Sequence, residues 1–364
     1  MINNDFIVSS RTYPFSDLHW TLTHGKPSLV KTPYEMKQFL MHHSDVKHVI
    51  NELIVEEMSK GLSERKAKRK VEAEAKEIIT RMQSRMNHKT VQFFSWFLHK
   101  VWRSIYEQIV VNSKAIDGLK KLVEGNKGNI ILCPTHRSYV DFLIVSYIMF
   151  QFKMEVPHIC AGEDFLNIKL VHHLLRRSGA FFMRRSFKGD PLYKVIFNTY
   201  VTKLLGDGSA FEFFVEGTRS RTGKMLKPKF GLLGVLMDNF YDKKVNNLQF
   251  VPVTINYSRV LECESYPGEL LGEPKVKESM GRILNAMNIL KMNFGTINVE
   301  FDEPIDFNEY QKAIVSEQGL NPTEVRADRK IVVEKLGYDL VFILSRKLII
   351  QPTAICATIL LHQR

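Results

Sequence analysis

The fold is read from Ile130-Ile-Leu-Cys-Pro-Thr-His136-Arg-Ser-Tyr-Val-Asp141-Phe-Leu-Ile-Val145. Ile130 to Cys133 are apolar and suit a buried strand. Pro134, which lacks a backbone donor and fixes its own φ, predicts that the strand stops there. Ser138 followed by Asp141 has the spacing of a capping box and predicts a helix start, continued by Phe142, Leu143, Val145 and Ile148. His136 then falls in a strand-to-helix turn, where α/β proteins expose reactive side chains. Positions five apart on an ideal helix lie about 140° from each other, so His136 and Asp141 share no helical face. From the turn, however, the carboxylate can reach back to the imidazole. An imidazole so held is a general base. The competing reading is a loop histidine beside a helix-capping aspartate, and spacing alone leaves both open.

At 364 residues the chain is long enough for one large domain or two modest ones. Its composition, 45% hydrophobic and 25% charged, is that of a globular protein. The cysteines at 133, 160, 263 and 356 form no C-x-x-C pair, which predicts a reducing compartment and neither a disulfide framework nor a structural zinc site. A net charge of +12 and a pI near 9.4 point to an anionic partner: a phosphate ligand, a membrane surface or a nucleic acid. Met1-Ile-Asn-Asn-Asp has neither part of a secretory signal, and Leu361-His-Gln-Arg364 is not a peroxisomal Ser-Lys-Leu address. Leu340 to Leu361 is the best attempt at the roughly 20 apolar residues of a membrane span. Arg346, Lys347, Gln351 and Pro352 interrupt it, so no span is expected.

Along the chain, residues 1–45 read as irregular and Val46–Ser84 as helical. Its basic run from Glu64 to Lys70 reads as a solvated helix face in preference to a lipid or nucleic-acid contact. Phe94, Phe97, Leu98, Val101, Ile105 and Ile109 make one helical face. That helix either docks on the core or lies at a membrane interface, with Trp96, Trp102, Lys100 and Arg103 at headgroup level. From about Ala115 strands and helices alternate. Strands are predicted at Val156–Gly162, Ala180–Met183, Ala210–Val215, Leu248–Ile255 and Thr296–Phe301, with helices between. The expected fold is α/β, a largely parallel central sheet flanked by helices. We divide the chain into an N-terminal region (1–114), an α/β domain (115–315) and a helical tail (316–364).

Two further clusters sit at strand ends, where open α/β sheets place ligands. They are Gly179-Ala-Phe-Phe-Met-Arg184-Arg185 and Phe214-Val-Glu216-Gly217-Thr218-Arg219-Ser220-Arg221. Arginines bind phosphate oxygens bidentately, so both suit a small phosphorylated substrate, the other reading being surface ion pairs. The second cluster is no P-loop: five residues separate Gly217 from Gly223, and Met225 follows Lys224 where a magnesium-binding hydroxyl belongs. No G-x-S-x-G, H-E-x-x-H or G-x-G-x-x-G occurs.

These blocks, together with Val251-Pro252-Val253, resemble the four ordered blocks of the glycerolipid acyltransferases over residues 115–310. The similarity is to the glycerol-3-phosphate and dihydroxyacetone-phosphate branch. Thr218 favours the dihydroxyacetone-phosphate side, because bacterial-type glycerol-3-phosphate enzymes often carry glycine there. The resemblance implies acyl transfer from acyl-CoA to a hydroxyl of the three-carbon phosphate, with no metal or redox cofactor. It implies His136 as base and Asp141 as its orienter. Arg184, Glu216, Gly217 and Arg219, with Arg221 as a weaker addition, would take the phosphate substrate, and Pro252 would border the cleft. It also implies a peripheral membrane location, peroxisomal for this branch, and no nucleic-acid partner. Branch members usually continue well beyond this length, and those on the dihydroxyacetone-phosphate side typically end in a peroxisomal address, so the chain is expected to be truncated, a short form, or housed elsewhere. Two rivals remain: acylation of a lysophosphatidate, and a non-catalytic basic protein binding lipid or nucleic acid.

Overall fold

The computed structural model describes residues 4–6, 14–24, 32–163 except 126, 166, 169–272 except 188 and 264, and 292–363. Nine strands occur among these residues: β1 (Asn4–Phe6), β2 (Gln108–Asn112), β3 (Asn129–Pro134), β4 (His158–Gly162), β5 (Ala180–Met183), β6 (Phe211–Glu212), β7 (Leu248–Tyr257), β8 (Thr296–Phe301) and β9 (Ile305–Asp306). They form one sheet in the order β1-β2-β8-β7-β3-β6-β4-β5, with β9 paired to β7. The run from β7 to β5 is parallel, as the βαβ alternation predicts. Beyond β7 the sheet is mixed: β8 and β9 run antiparallel to β7, and β1 runs antiparallel to β2.

Successive side chains of β3 point to opposite faces and feed two separate cores. Ile131 and Cys133 enter one core, beneath α2 (Pro33–His42), α3 (Ser44–Ser59), α4 (Glu64–Met82), α9 (Pro191–Gly206) and α10 (Gly231–Tyr241). Ile130 and Leu132 enter the other, beneath α5 (His88–Ile105), α6 (Ser113–Glu124), α7 (Asp141–Gln151) and α8 (Lys169–Arg177). A strand flanked on both faces needs near-continuous apolar sequence, which β3 and β7 have. After β7 come α11 (Tyr266–Leu270), α12 (Phe307–Gln318), α13 (Arg326–Arg346) and α14 (Pro352–His362).

Several expectations need correction. Residues 1–45 are not irregular throughout: β1, α1 (Pro14–Thr23) and α2 lie there. At the start of α2, Thr32 and Glu35 exchange capping bonds around Pro33. The sheet takes in β1 and β2, both ahead of Ala115, and Ile109 lies on β2 and not on the preceding helix. Only Phe211 and Glu212 of the strand expected over 210–215 pair in the sheet. On α5, Trp102 is core, while Lys100 and Arg103 both bind the buried Asp17 of α1. Trp102 thus faces the core, Lys100 keeps its side chain 37% exposed beside Asp17, and Phe93 and Phe97 of the same helix are exposed. The basic run on α4 is solvated, with Ala67, Val71, Ala75, Ile78 and Ile79 turned inward. No helix among the described residues is long and apolar enough to cross a membrane.

Phe307, fully buried at the start of α12, packs against Phe240, Tyr241 and Phe250 and so ties α12 to α10 and β7. Phe307→Ala is expected to cost about 3–5 kcal/mol. A denaturant titration that moved by less than about 1 kcal/mol would show that the neighbouring rings collapse into the space.

Candidate active site

The strand-to-helix turn is held on three sides. Behind it, Thr135 donates its backbone N–H to Val253 O (2.9 Å) and accepts at Oγ1 from Ile255 N (3.0 Å), which welds the turn to β7. Beneath it, Glu216 accepts His136 N–H at Oε1 and Leu226 N–H at Oε2, both 2.9 Å. Beside it, Ser220 N–H donates to His136 O (2.8 Å), and the imidazole stacks on Phe214 with centroids 3.9 Å apart.

The imidazole Nδ1 lies 2.9 Å from Asp141 Oδ2. Asp141 is fully buried at the first position of α7, where the helix dipole favours an anion. Its Oδ2 also accepts from Arg137 N (2.7 Å) and Ser138 N (2.8 Å), and its Oδ1 accepts from Tyr257 Oη (2.6 Å). The carboxylate is thus an acceptor only, and Nδ1 carries the proton. The Nε2 lone pair makes no hydrogen bond among the described residues, and the side chain is 17% exposed. A histidine held in this way has the fixed tautomer and the open nitrogen that a general base requires. The expected capping box is half formed: Asp141 accepts from Ser138 N–H, but the Ser138 hydroxyl donates instead to Glu262 Oε2 (2.8 Å).

The arginine loop comes to the same turn. Gly217 has φ +67°, and a Cβ there would stand 2.7 Å from Lys229 Cγ, so the chain turns here only as glycine. Arg219 lies over the Tyr139 ring, 3.2 Å from its centroid, with Nη1 donating to Tyr266 Oη (3.1 Å) and Glu262 Oε1 (3.3 Å). Arg221 pairs with Glu269 on α11. Glu216, for its part, is engaged from below the turn by backbone donors and presents no positive charge to a phosphate. Burial raises its pKa, while those donors and the nearby His136 and Arg137 draw it back down. Pro252 is buried on β7, in register with Cys133 of β3.

Arg184 is set apart. It follows β5, three strands from β3 across β6 and β4, a backbone separation of about 14 Å. There it pairs with Asp190 and with Glu163 (3.7 Å) and lies over Tyr193. The structure therefore gathers His136, Asp141, Glu216, Gly217 and Arg219 about one turn and leaves Arg184 at the sheet edge. Tyr257, Glu262 and Tyr266 were missed by sequence reasoning. They come from the end of β7 and from the segment after it, and no local pattern marks them. No cluster of three or more metal-ligating side chains occurs among the described residues.

Along α7 from Asp141, an apolar slot opens between α5, α7, β4 and α8, lined by Phe94, Leu98, Phe142, Leu143, Ile159 and Leu175. On the same sheet face Glu212 is fully buried between Leu132 and Ile159, and neither carboxyl oxygen has a hydrogen-bond partner among the described residues. Burial first, and the Asp141 charge second, raise its pKa well above 4.5.

Residues 110–256 match the acyltransferase family, and residues 266–364 match the glycerol-3-phosphate acyltransferase C-terminal region. Together they take in more than half of the chain, including every residue of the turn. Among curated relatives, dihydroxyacetone phosphate acyltransferase of Mus musculus is 36% identical over 339 residues, covering 91% of this chain and 49% of its own length. The Homo sapiens counterpart is 34% identical over 361 residues, covering 96% of this chain and 52% of its own length. Glycerol-3-phosphate acyltransferase of Pseudomonas fluorescens (strain Pf0-1) is 40% identical over 267 residues, covering 73% and 31%. The chain belongs to the glycerolipid acyltransferases, in the branch that contains these enzymes. It spans about half the length of the dihydroxyacetone phosphate acyltransferases it matches.

Glu212 gives a pH test of the buried face. Below about pH 4.5 its carboxyl is protonated whether the chain is folded or not. Above that, the unfolded chain ionises while the folded chain keeps its proton. Stability from this group therefore falls as pH rises, by about 1.4 kcal/mol per unit until the folded pKa is reached. Glu212→Gln removes that slope. The variant should match the parent near pH 4 and be the more stable at pH 8 by urea denaturation. Equal stabilities at pH 8 would show that the carboxyl is ionised in the fold.

Proposed function

We propose that this protein transfers a fatty acyl group from acyl-CoA to the hydroxyl of dihydroxyacetone phosphate or glycerol 3-phosphate. The observation that carries the reading is the His136–Asp141 pair standing in one turn with Arg219. His136 Nε2 takes the acceptor's hydroxyl proton while Asp141 stabilises the imidazolium through Nδ1–H. The freed oxygen attacks the thioester carbonyl directly and forms a tetrahedral intermediate. That intermediate collapses with cleavage of the C–S bond, and the imidazolium returns its proton to the departing thiolate. The products are free thiol and a 1-acyl ester, and no acyl-enzyme is needed.

Arg219 supplies the phosphate contact, with Arg221 the next guanidinium along the same loop. The acyl chain would enter along the apolar lining between α5 and α7 that starts at Phe142, and these packed side chains must part to admit it. Similarity to enzymes of both acceptors supports the three-carbon phosphate, and Thr218 favours the dihydroxyacetone form slightly. The +12 charge supports a peripheral seat on an anionic membrane surface, and the branch resemblance suggests the peroxisomal membrane. No metal or redox cofactor is invoked.

The test is thiol release from palmitoyl-CoA by the full chain, with dihydroxyacetone phosphate, glycerol 3-phosphate and a lysophosphatidate in parallel. Release is expected with one or both three-carbon phosphates. His136→Ala should lower it by roughly 10²–10⁴-fold with the circular dichroism unchanged. Asp141→Asn is expected to act in the same direction. Full activity in folded His136→Ala would overturn the mechanism, and release with the lysophosphatidate alone would overturn the choice of acceptor.

A further inference from the structure

We infer that Glu262, outside all four sequence blocks, is a positioning residue that sets the acceptor's phosphate site and couples it to the base. The inference deepens the proposed function and rests on it for the identity of the acceptor. One largely buried carboxylate makes three contacts here. Oε2 accepts from Ser138 Oγ (2.8 Å); Oε1 accepts from Tyr139 N (2.6 Å) and faces Arg219 Nη1 (3.3 Å). A second brace runs parallel to it. Tyr266, four residues on, donates its hydroxyl to Arg137 O (2.7 Å) and accepts from the same Arg219 nitrogen. The aromatic face of Tyr139, whose N–H Glu262 holds, is the surface on which the Arg219 guanidinium lies.

The geometry divides the guanidinium into two edges. Nη1 is committed to Glu262 and Tyr266, whereas Nε and Nη2 have no partner among the described residues. A planar fork with one corner pinned and its plane set by a stacked ring can present only its remaining N–H groups to a ligand. That is the arrangement that binds a phosphate bidentately, because the ordering cost is met before the ligand arrives. The same carboxylate holds Ser138 and Tyr139, two and three residues after His136. Phosphate position and base position are thereby referred to one group. Arg221 is held by the single carboxylate of Glu269, and Arg184, held between Glu163 and Asp190 over Tyr193, stands about 14 Å from the turn. Arg219 is the guanidinium we assign to the phosphate.

Glu262→Gln tests this with little change of shape. The amide oxygen still accepts from Tyr139 N–H, the amide nitrogen donates to a rotated Ser138 hydroxyl, and the charge facing Arg219 is lost. Loss of a charge-assisted contact predicts about a tenfold higher KM for the phosphate acceptor. The KM for acyl-CoA should rise by much less than the KM for the acceptor. A merely structural role would lower every rate together with the melting temperature, and that result, or an unchanged acceptor KM, overturns the inference. A second readout does not need turnover: inorganic phosphate should raise the melting temperature of the parent chain, and Glu262→Gln should need about tenfold more phosphate for the same rise. If the parent acylates neither acceptor while this shift persists, the reaction is wrong and the anion site stands. No protection of the parent by phosphate, or the same response in both proteins, overturns the site.

Discussion

A buried carboxylate without a cation beside it must be satisfied by hydrogen bonds, and the site is built around that requirement at Asp141. Four donors meet its two oxygens: the imidazole, two successive backbone N–H groups of its own turn, and the Tyr257 hydroxyl. Removing any one leaves a charge in a medium that cannot resolvate it. The consequence is directional. With Oδ2 shared between the turn's backbone and the ring, the imidazole can keep its hydrogen bond only in one orientation, stacked on Phe214. The reactive nitrogen is placed by the needs of the acid behind it.

The arginines obey a complementary rule. Each of Arg184, Arg219 and Arg221 lies against a carboxylate of its own chain. Half-buried guanidinium groups crowded at one end of a sheet would repel one another, and local acids offset that charge. The excess positive charge sits elsewhere, for instance on the solvated face of α4, where Arg65, Lys66, Lys68, Arg69 and Lys70 are all exposed. A long-range positive field and a locally neutralised site can therefore coexist. The first raises the encounter rate with anions, and the second leaves Arg219 pinned at Nη1 with Nε and Nη2 unpartnered among the described residues.

The readable part of the molecule was the part carried by local pattern. Ile130 to Asp141 announced strand, turn and helix through a short apolar run, a proline and a serine–aspartate spacing, and the His136–Asp141 pair lay within it. The Glu216–Arg221 loop was legible as a glycine turn with guanidinium groups. What it holds was not, because Glu216 reaches under the turn to His136 N and Arg219 reaches to Glu262, contacts that span 80 and 43 residues. β2 was hidden because Ile109 continues the apolar spacing of α5, and Tyr106, extended at φ −117°, is what breaks the helix. The Thr32–Glu35 capping box was present in the sequence of the N-terminal region and was outweighed by its serine, threonine and proline content. Arg184 follows its strand just as Arg219 does, and only strand order separates them in space.

That order also explains why the sheet departs from a parallel one. β3 ends at Pro134, in register with Val253, yet β7 runs on to Tyr257. Four further residues carry β7 about 13 Å beyond β3. A strand projecting so far needs a partner for its backbone groups, and the parallel neighbour has already turned away. β8, running the other way, supplies it: Val253 to Tyr257 pair with Phe301 back to Ile297. The overhang delivers Asn256 and Tyr257 to opposite faces. Asn256 holds Ile349 N at the end of α13, and Tyr257 holds Asp141. A sheet kept parallel throughout would have stopped level with Pro134 and left Asp141 Oδ1 without its donor. The antiparallel edge is the structural condition for the buried acid, and through it for the orientation of the His136 ring.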